Sequence, residues 1–158
     1  MPSSDTAVRP VTTPQQTTTS VPAPTTPTTS RWAWRDWLCL ALLAGGVLLT
    51  YSEIFSCGFV NYDDGQYVTQ NPTVLSGLTV SGFRLAWTTA YAANWHPLTW
   101  LSLMLDATMF GREAWGFHLT NVLLHICNTL LLFIIFRWLT GAVWRSAFVA
   151  ALFGVHPL

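Results

Sequence analysis

The stretch FHLTNVLLHICNTLLLFIIFRWL, residues 117–139, decides the fold class of this chain. It is 23 residues long and contains one formally charged side chain, Arg137, close to its end. As an α-helix it would extend about 35 Å at 1.5 Å per residue, which exceeds the roughly 30 Å hydrocarbon core of a bilayer. The stretch therefore predicts a transmembrane helix, and the chain is expected to be an all-α membrane protein.

Two further apolar stretches accompany this helix, in a chain of 158 residues that is 51% hydrophobic and 9% charged. Residues 37–55 predict a first spanning helix, because their only acidic side chain, Glu53, lies near the end. Residues 143–158 predict a third span, which reaches the last residue before it fills a bilayer thickness. We therefore expect a multi-span helical bundle within residues 36–158, with a loop at 56–116.

A tail precedes the bundle. Residues 1–30 contain no aromatic side chain and consist mainly of Thr, Pro, Ser and Gln. This composition cannot bury enough apolar surface to offset the entropy of ordering. Residues 1–35 are therefore predicted to be a disordered tail.

Arginine supplies every basic side chain, since the chain has seven Arg and no Lys against seven acidic residues. No basic face is available for a polyanion, which excludes nucleic acid as a partner. Five of the arginines, at positions 9, 31, 35, 137 and 145, lie on one side of the predicted spans. By the positive-inside rule that side is cytoplasmic, so the N-terminus is expected in the cytoplasm and the loop 56–116 outside.

Two helices are expected inside the outer loop. Ser81 is a candidate cap for a helix that ends near Thr89, and Pro97 is well placed in the first turn of another. In the second helix the leucines share a face with Met104, while Asp106 falls on the opposite, polar face. This pattern is typical of helices that lie in the plane of the membrane surface.

Asp63 and Asp64 stand just beyond the first span, beside Gly65, in a sequence that favours an irregular turn. Adjacent carboxylates repel, so one of them could act as a proton acceptor near neutral pH while the other orients a substrate. A hydrated turn that uses Asp only to cap backbone groups explains the same pair. Spacing alone does not separate the two interpretations.

Polar side chains form a stripe on the 117–139 helix. Counted at 100° per residue from His118, they all fall within about 100° of one another: His118, Asn121, His125, Asn128 and Thr129. Such residues are expected to face protein or water, either as a functional site or as hydrogen bonds between helices. A metal site is disfavoured, because His118 and His125 are seven residues apart and ligand pairs on a helix usually sit one turn apart.

Four other polar residues are expected on the outer side. His96 and His156 each precede a proline, which favours an extended backbone. Arg84 and Arg112 are the only cations of the loop, and a guanidinium grips a phosphate with two hydrogen bonds. Their alternative role is to pair with Asp106 or a neighbouring glutamate.

An ordered set of short motifs follows the first span. It consists of Tyr62-Asp63-Asp64, Asn71-Pro72, Trp95-His96-Pro97-Leu98, Phe117-His118-Leu119-Thr120-Asn121 with His125 following, and His156-Pro157-Leu158. Together these motifs resemble the amino-terminal membrane part of transmembrane, tetratricopeptide-repeat-containing O-mannosyltransferase-like proteins, bacterial versions included. The resemblance covers about residues 37–158.

The resemblance implies a GT-C-type glycosyltransferase in a membrane, such as the bacterial inner membrane, that moves a sugar, mannose in this family, from a polyprenyl-phosphate donor to Ser or Thr hydroxyls of a protein acceptor. It assigns Asp63 as catalytic base and Asp64 as its helper. It places His96, His118 and Asn121 around the substrate, with Arg84 and Arg112 as candidate phosphate ligands. Whether Mg²⁺ or Mn²⁺ joins the acidic pair is open. Family members continue into further spans and a helical repeat array, so this chain is expected to be a fragment.

A competing hypothesis comes from a different functional class. A non-catalytic membrane anchor or scaffold would use the acidic pair as a turn and the polar stripe for helix packing. A transporter or proton relay would need ionisable groups through the bilayer midplane, and His125 alone comes near it.

Overall fold

The computed structural model describes residues 32–60, 62–90 and 94–156. These residues are helical, with no strand among them. The α-helices are α1 (Trp34–Thr50), α2 (Pro72–Leu75), α3 (Val80–Thr88), α4 (Pro97–Phe110), α5 (Ala114–Thr140) and α6 (Val143–Val155). A 3₁₀ turn, Ser52–Ser56, follows α1, and one π turn, Gly65–Thr69, precedes α2.

Helices α1, α5 and α6 form a three-helix bundle. Its core contains Cys39 and Leu43 of α1, Phe133 of α5 and Ala150 of α6, all buried. Gly141, at φ 68°, adopts the left-handed conformation that ends α5 and lets the chain reverse into α6. Since the start of α1 contacts the end of α5, these two helices are antiparallel.

Helices α2, α3 and α4 form a second cluster around the other end of α5. Their shared core contains Val74 of α2, Ala86 of α3 and Met104 of α4, together with Phe117 from the first turn of α5. The end of α1, at Tyr51, lies level with His125, where the two rings make an edge contact. The first third of α5 therefore extends beyond α1 into the loop cluster and joins the two parts of the fold.

Among the described residues one helix, α5, is long and apolar enough to cross a membrane. It runs three residues before and one residue beyond the predicted 117–139. Helix α1 begins at Trp34 rather than at residue 37 and ends at Thr50, where the 3₁₀ turn takes over. Helix α6 has 13 residues. The predicted tail falls on residues 1–35, of which 1–31 lie outside the described ranges.

Two details of the loop differ from the prediction. Helix α3 is capped by Thr79, whose hydroxyl accepts the N–H of Gly82 at 3.0 Å, and Ser81 lies inside the helix. Asp106 was expected on the polar face of α4 but is buried, with 4% of its surface exposed. The burial is possible because Thr120 of α5 donates a hydrogen bond to Asp106 Oδ1 at 2.6 Å.

Candidate functional site

Residues 62–67, which we call the acidic turn, hold the two aspartates in different ways. Asp64 Oδ2 accepts the backbone N–H of Val60 at 2.7 Å, so this carboxylate stabilises the turn. The Asp63 carbonyl accepts the N–H of Tyr67 at 2.9 Å, while its side chain is exposed. No described residue forms a hydrogen bond or ion pair with the Asp63 carboxylate. Of the pair, Asp63 is therefore the carboxylate available to a substrate.

An aromatic stack, consisting of Tyr67, His96 and Trp100, fixes one end of the acidic turn against α4. The Tyr67 ring lies nearly parallel to Trp100, with centroids 5.1 Å apart, and to His96, with centroids 5.7 Å apart. The His96 and Trp100 rings are 5.1 Å apart. Stacked rings of this kind resist sliding, so the turn carrying Asp63 is held beside His96.

The chain just before the acidic turn contacts the beginning of α5. Phe59 packs edge-on against Phe117, with ring centroids 5.4 Å apart. His118 is the next residue on that helix. The acidic turn is thus bracketed by two contacts, one to His96 on α4 and the other to the neighbour of His118 on α5.

Both histidines carry an unusual feature. The Nε2 atoms of His96 and His118 are buried, and neither has a hydrogen-bond partner among the described residues. A buried polar atom without a partner costs about 1–3 kcal/mol. Two such atoms, on segments that contact the two flanks of the acidic turn, indicate a place where a ligand with hydrogen-bonding groups is received.

The remaining predicted site residues are not brought into this arrangement by any contact of the described residues. Asn121 of α5, Arg84 of α3 and Arg112 are all exposed. No ion pair joins either arginine to Asp106 or to another acid in the part of the chain that the structure describes. Both guanidinium groups are accessible to an external anion.

Comparison with curated proteins finds relatives that are about one third identical to this chain in sequence. The chain is 34% identical to "Protein O-mannosyl-transferase Tmtc2" of Drosophila melanogaster over 139 residues, which is 78% of this chain and 14% of that protein. It is 34% identical to "Protein O-mannosyl-transferase TMTC1" of Mus musculus over 128 residues, which is 75% of this chain and 13% of that protein. The chain contains a TMTC-like region.

The TMTC-like region spans about one seventh of the length of these curated relatives. No model of a known protein family matches the chain, and no solved structure matches it. The 34% sequence identity to the curated relatives confirms the family resemblance that the short motifs indicated. Together with the membrane-length helix α5, it indicates that the TMTC-like region is associated with a membrane.

The acidic pair of the TMTC-like region does not fit a divalent-cation site. Within residues 32–60, 62–90 and 94–156, no three His, Cys, Asp or Glu side chains come close enough to hold a metal ion. Mg²⁺ and Mn²⁺ need several oxygen ligands, and one of the two carboxylates here is already engaged by the Val60 N–H. No step of the proposed chemistry uses a metal.

The hydrogen bond from Thr120 to Asp106 joins two helices near the candidate site and was not predicted from the sequence. Burial raises the pKa of the Asp106 carboxyl, and the hydrogen bond from Thr120 opposes that shift. The contact attaches α4, which carries His96, to α5, which carries His118. The sequence signal for this contact was weak, because an Asp among the Leu and Met residues of a helix is as compatible with a solvated position as with a buried one.

A buried ion pair at the opposite end of α5 was also missed. Asp36 is fully buried and its Oδ1 lies 2.6 Å from Arg137 Nε. Asp36 Oδ2 also accepts the N–H of Ala33 at 2.8 Å. The sequence analysis counted Arg137 only toward membrane orientation, and an acid and a base 101 residues apart give no local signal.

The polar stripe of α5 divides into two parts. Thr129 is buried, and His125 Nε2 lies 3.1 Å from the carbonyl oxygen of Gly154 on α6. His125 therefore joins α5 to α6, which was the alternative to a site, whereas the Thr129 hydroxyl donates to the His125 carbonyl within α5. Asn121 and Asn128 are exposed on the outer surface of α5.

A cavity of about 170 Å³ lies between α2, α3 and α4. Its floor is apolar, with Val74, Ala86, Trp100 and Met104, and polar groups of Asn71 and Thr89 also line it. Trp100 belongs to both the cavity lining and the aromatic stack, so the cavity adjoins the stack that holds the acidic turn.

Proposed function

We propose that the TMTC-like region is part of a membrane glycosyltransferase of the GT-C type, which transfers a sugar, mannose, from a polyprenyl-phosphate donor to Ser or Thr hydroxyls of an extracytoplasmic protein. The observation that carries the proposal is the exposed Asp63 carboxylate in a turn whose flanks contact two regions. The histidine in each region has an Nε2 atom with no hydrogen-bond partner among the described residues. The similarity to proteins named O-mannosyl-transferases supports the reaction class.

In the proposed reaction Asp63 acts as the general base. Its carboxylate accepts the proton of the acceptor hydroxyl as the hydroxyl oxygen bonds to the anomeric carbon of the sugar. The bond from that carbon to the phosphate oxygen breaks, and the lipid phosphate leaves with the electron pair. Asp64 supports the base by holding the turn, because its own oxygen is engaged by the backbone N–H of Val60.

The other predicted residues bind substrate in this proposal. His96 and His118 face hydroxyl or phosphate oxygens through their Nε2 atoms, which gives these buried atoms a partner. Arg84 and Arg112 are exposed candidates for the phosphate, and Asn121 for the sugar or acceptor.

The proposed membrane arrangement follows from the antiparallel packing of α1 and α5. Helices α1, α5 and α6 cross a membrane, proposed to be a bacterial inner membrane, with the Asp36–Arg137 pair at the cytoplasmic end and the N-terminus in the cytoplasm. The loop cluster of α2, α3 and α4 then lies outside, at the surface where a lipid-borne sugar meets a polar acceptor. The complete enzyme includes further spans and a tetratricopeptide-repeat array.

Replacing Asp63 tests the proposal. In a full-length protein that contains this region, Asp63→Asn is expected to reduce sugar transfer to a Thr-containing peptide at least about 100-fold, the usual range for losing a general base. Glu53→Gln, which neutralises an exposed acid near the same membrane surface, is the matched control and should leave transfer unchanged. Membrane insertion is measured for both variants by protease protection.

The rival function, a non-catalytic anchor or scaffold, has one observation in its favour. Asp64 does cap a backbone group, as a purely structural turn requires. Unchanged sugar transfer by a correctly inserted Asp63→Asn variant would exclude Asp63 as the base, whereas absence of transfer by the parent full-length protein would establish the anchor or scaffold function instead.

A further inference from the structure

The cavity between α2, α3 and α4 has no role in the proposed reaction. Its volume of about 170 Å³ corresponds to about five or six water molecules at about 30 Å³ each. This is smaller than the pockets that enclose whole ligands, which measure about 300–1,000 Å³. The cavity is therefore of a size for one side chain or one ring.

The chemistry of the lining restricts what enters. Val74, Ala86 and Met104 are each no more than 3% exposed, so the floor is apolar and rigidly packed. The Tyr67 and His96 rings lie next to each other against Trp100, each with its centroid 5.1 Å from the Trp100 ring. A sugar ring, which needs many hydrogen bonds, is a poor fit to an apolar floor.

Asn71 supplies the second, independent observation. It is 4% exposed and lines the cavity, and its Oδ1 accepts the backbone N–H groups of Thr73 at 3.1 Å and Val74 at 3.3 Å. The described residues provide no partner for its Nδ2 group. Asn71 Nδ2 is not among the buried atoms without a partner, so this amide group reaches solvent and is available to a ligand. A peptide carbonyl can accept its hydrogen bond, whereas a hydrocarbon chain cannot.

We propose that this cavity is a specificity pocket for the acceptor polypeptide: it takes an aliphatic side chain near the target Ser or Thr while Asn71 Nδ2 donates to a backbone carbonyl of the same peptide. The inference rests on the proposed function, since it names the kind of acceptor sequence that the site selects. Trp100 lines the cavity and also stacks on Tyr67 of the acidic turn, with ring centroids 5.1 Å apart. A few residues of extended peptide, at about 3.3–3.6 Å each, bridge a separation of one such stack.

The test measures peptide binding to the chain in lipid nanodiscs, with fluorescent hexapeptides that contain one Thr and either Leu or Gly at each neighbouring position. At one of these positions the Leu peptide is expected to bind at least about tenfold more tightly, because it buries an aliphatic side chain. Equal affinities for Leu and Gly at every position would overturn the proposal.

Three variants locate the effect. Ala86→Phe fills the floor and Thr89→Trp covers the mouth, and each should abolish the preference for Leu; the second keeps the test valid if the first does not fold. Val80→Phe is the matched control, because Val80 lies on the same helix and is 78% exposed, so the preference should persist. Asn71→Asp retains the oxygen that caps α2 but removes the donor, and should weaken binding of the Leu peptide about two- to tenfold.

Two further outcomes separate this inference from its alternatives. If a polyprenyl phosphate without sugar is excluded by Thr89→Trp and displaces the peptide, the cavity holds a lipid chain and the peptide assignment is wrong. Asp63→Asn should leave the Leu preference intact. If the Asp63→Asn variant loses sugar transfer but still prefers the Leu peptide, both proposals are supported. If it keeps both sugar transfer and the preference for the Leu peptide, only the general-base role of Asp63 is refuted.

Discussion

Asp36 and Arg137 form a buried ion pair between the first turn of α1 and the last turn of α5, with 2.6 Å between Oδ1 and Nε. Two charges removed from water stabilise a fold only weakly as a pair, but either one alone is strongly destabilising. The pair therefore specifies how α1 and α5 are aligned.

Arg137→Met is expected to destabilise the bundle by about 3–5 kcal/mol, because it leaves the Asp36 carboxylate buried without its cation. The double variant Asp36→Leu/Arg137→Met should recover most of this loss. Arg145→Met removes an exposed arginine of the next helix and serves as the control. Thermal unfolding in detergent measures all three, and equal stability of the Arg137 and Arg145 variants would contradict the prediction.

The contact between Asp106 and Thr120 predicts a pH dependence. Burial raises the pKa of Asp106, so the folded state favours the protonated carboxyl. Its contribution to stability is present at low pH and is lost as the pH rises through the raised pKa. Asp106→Asn, whose amide oxygen still accepts from Thr120, should show a flatter stability profile than the parent chain over the same range.

Thr120→Val tests the same hydrogen bond by removing its donor. The substitution keeps the shape of the side chain but removes the donor, which leaves the buried Asp106 oxygen without a partner. A loss of about 1–3 kcal/mol is expected. Combining Thr120→Val with Asp106→Asn gives a double-mutant cycle. Strictly additive losses of stability would show that the Thr120 and Asp106 side chains do not interact energetically.

Tyr67 is predicted to position the acidic turn through its ring. Tyr67→Leu removes two ring contacts, each worth about 0.5–1.5 kcal/mol, and should loosen the turn. Tyr67→Phe retains both contacts and loses only the 3.4 Å hydrogen bond from Asn94. Amide hydrogen exchange of residues 62–67 should become faster in the Leu variant and not in the Phe variant, so matching exchange rates of the two would exclude a positioning role for the ring.

The two aspartates should respond differently to substitution. Asp64→Asn preserves an oxygen that accepts the Val60 N–H and should retain most sugar transfer in a full-length protein, whereas Asp64→Ala should lose both the turn and transfer. Asp63→Asn should abolish transfer without loss of the turn. Heating curves and transfer assays on the three variants distinguish the roles.

Gly154 is predicted to be a close-packing point of the three-helix bundle. A Cβ at this position would lie 3.0 Å from Val47 Cγ2 and 3.1 Å from Thr129 Cγ2. Gly154→Val should therefore destabilise the fold by about 1–3 kcal/mol. Gly45→Val is the control, since a Cβ at Gly45 meets nothing within 4 Å. A comparable melting temperature for both variants would rule out tight packing.

The sequence predicts a helix reliably where the apolar pattern is long, as in α5. It predicts the end of a helix where a glycine can adopt the left-handed conformation, as at Gly141. The cap of α3 was misplaced by two residues, because Thr79 and Ser81 are chemically equivalent N-caps and only tertiary packing chooses between them. The burial of Asp106 depends on a hydroxyl 14 residues away on another helix, which no local pattern contains.

The candidate site was predictable in part. Asp63, His96 and His118 were taken from short motifs and stay predictions as site residues, and the structure adds the contacts that relate their segments. Asn71 was present in those motifs and Tyr67 was not, and their roles as an amide donor and a stacking ring require coordinates. Arg84, Arg112 and Asn121 stay predictions, because exposed side chains acquire a defined position only when a ligand engages them.

Because 101 residues separate Asp36 from Arg137, the ribosome synthesises Asp36 well before Arg137. At synthesis rates of about 5–20 residues per second, Asp36 exists for about 5–20 s before its cation has been made. During that interval the carboxylate must stay hydrated. Helix α1 therefore packs into its final position only after α5 has been translated, and the rate of translation sets the timing of helix assembly.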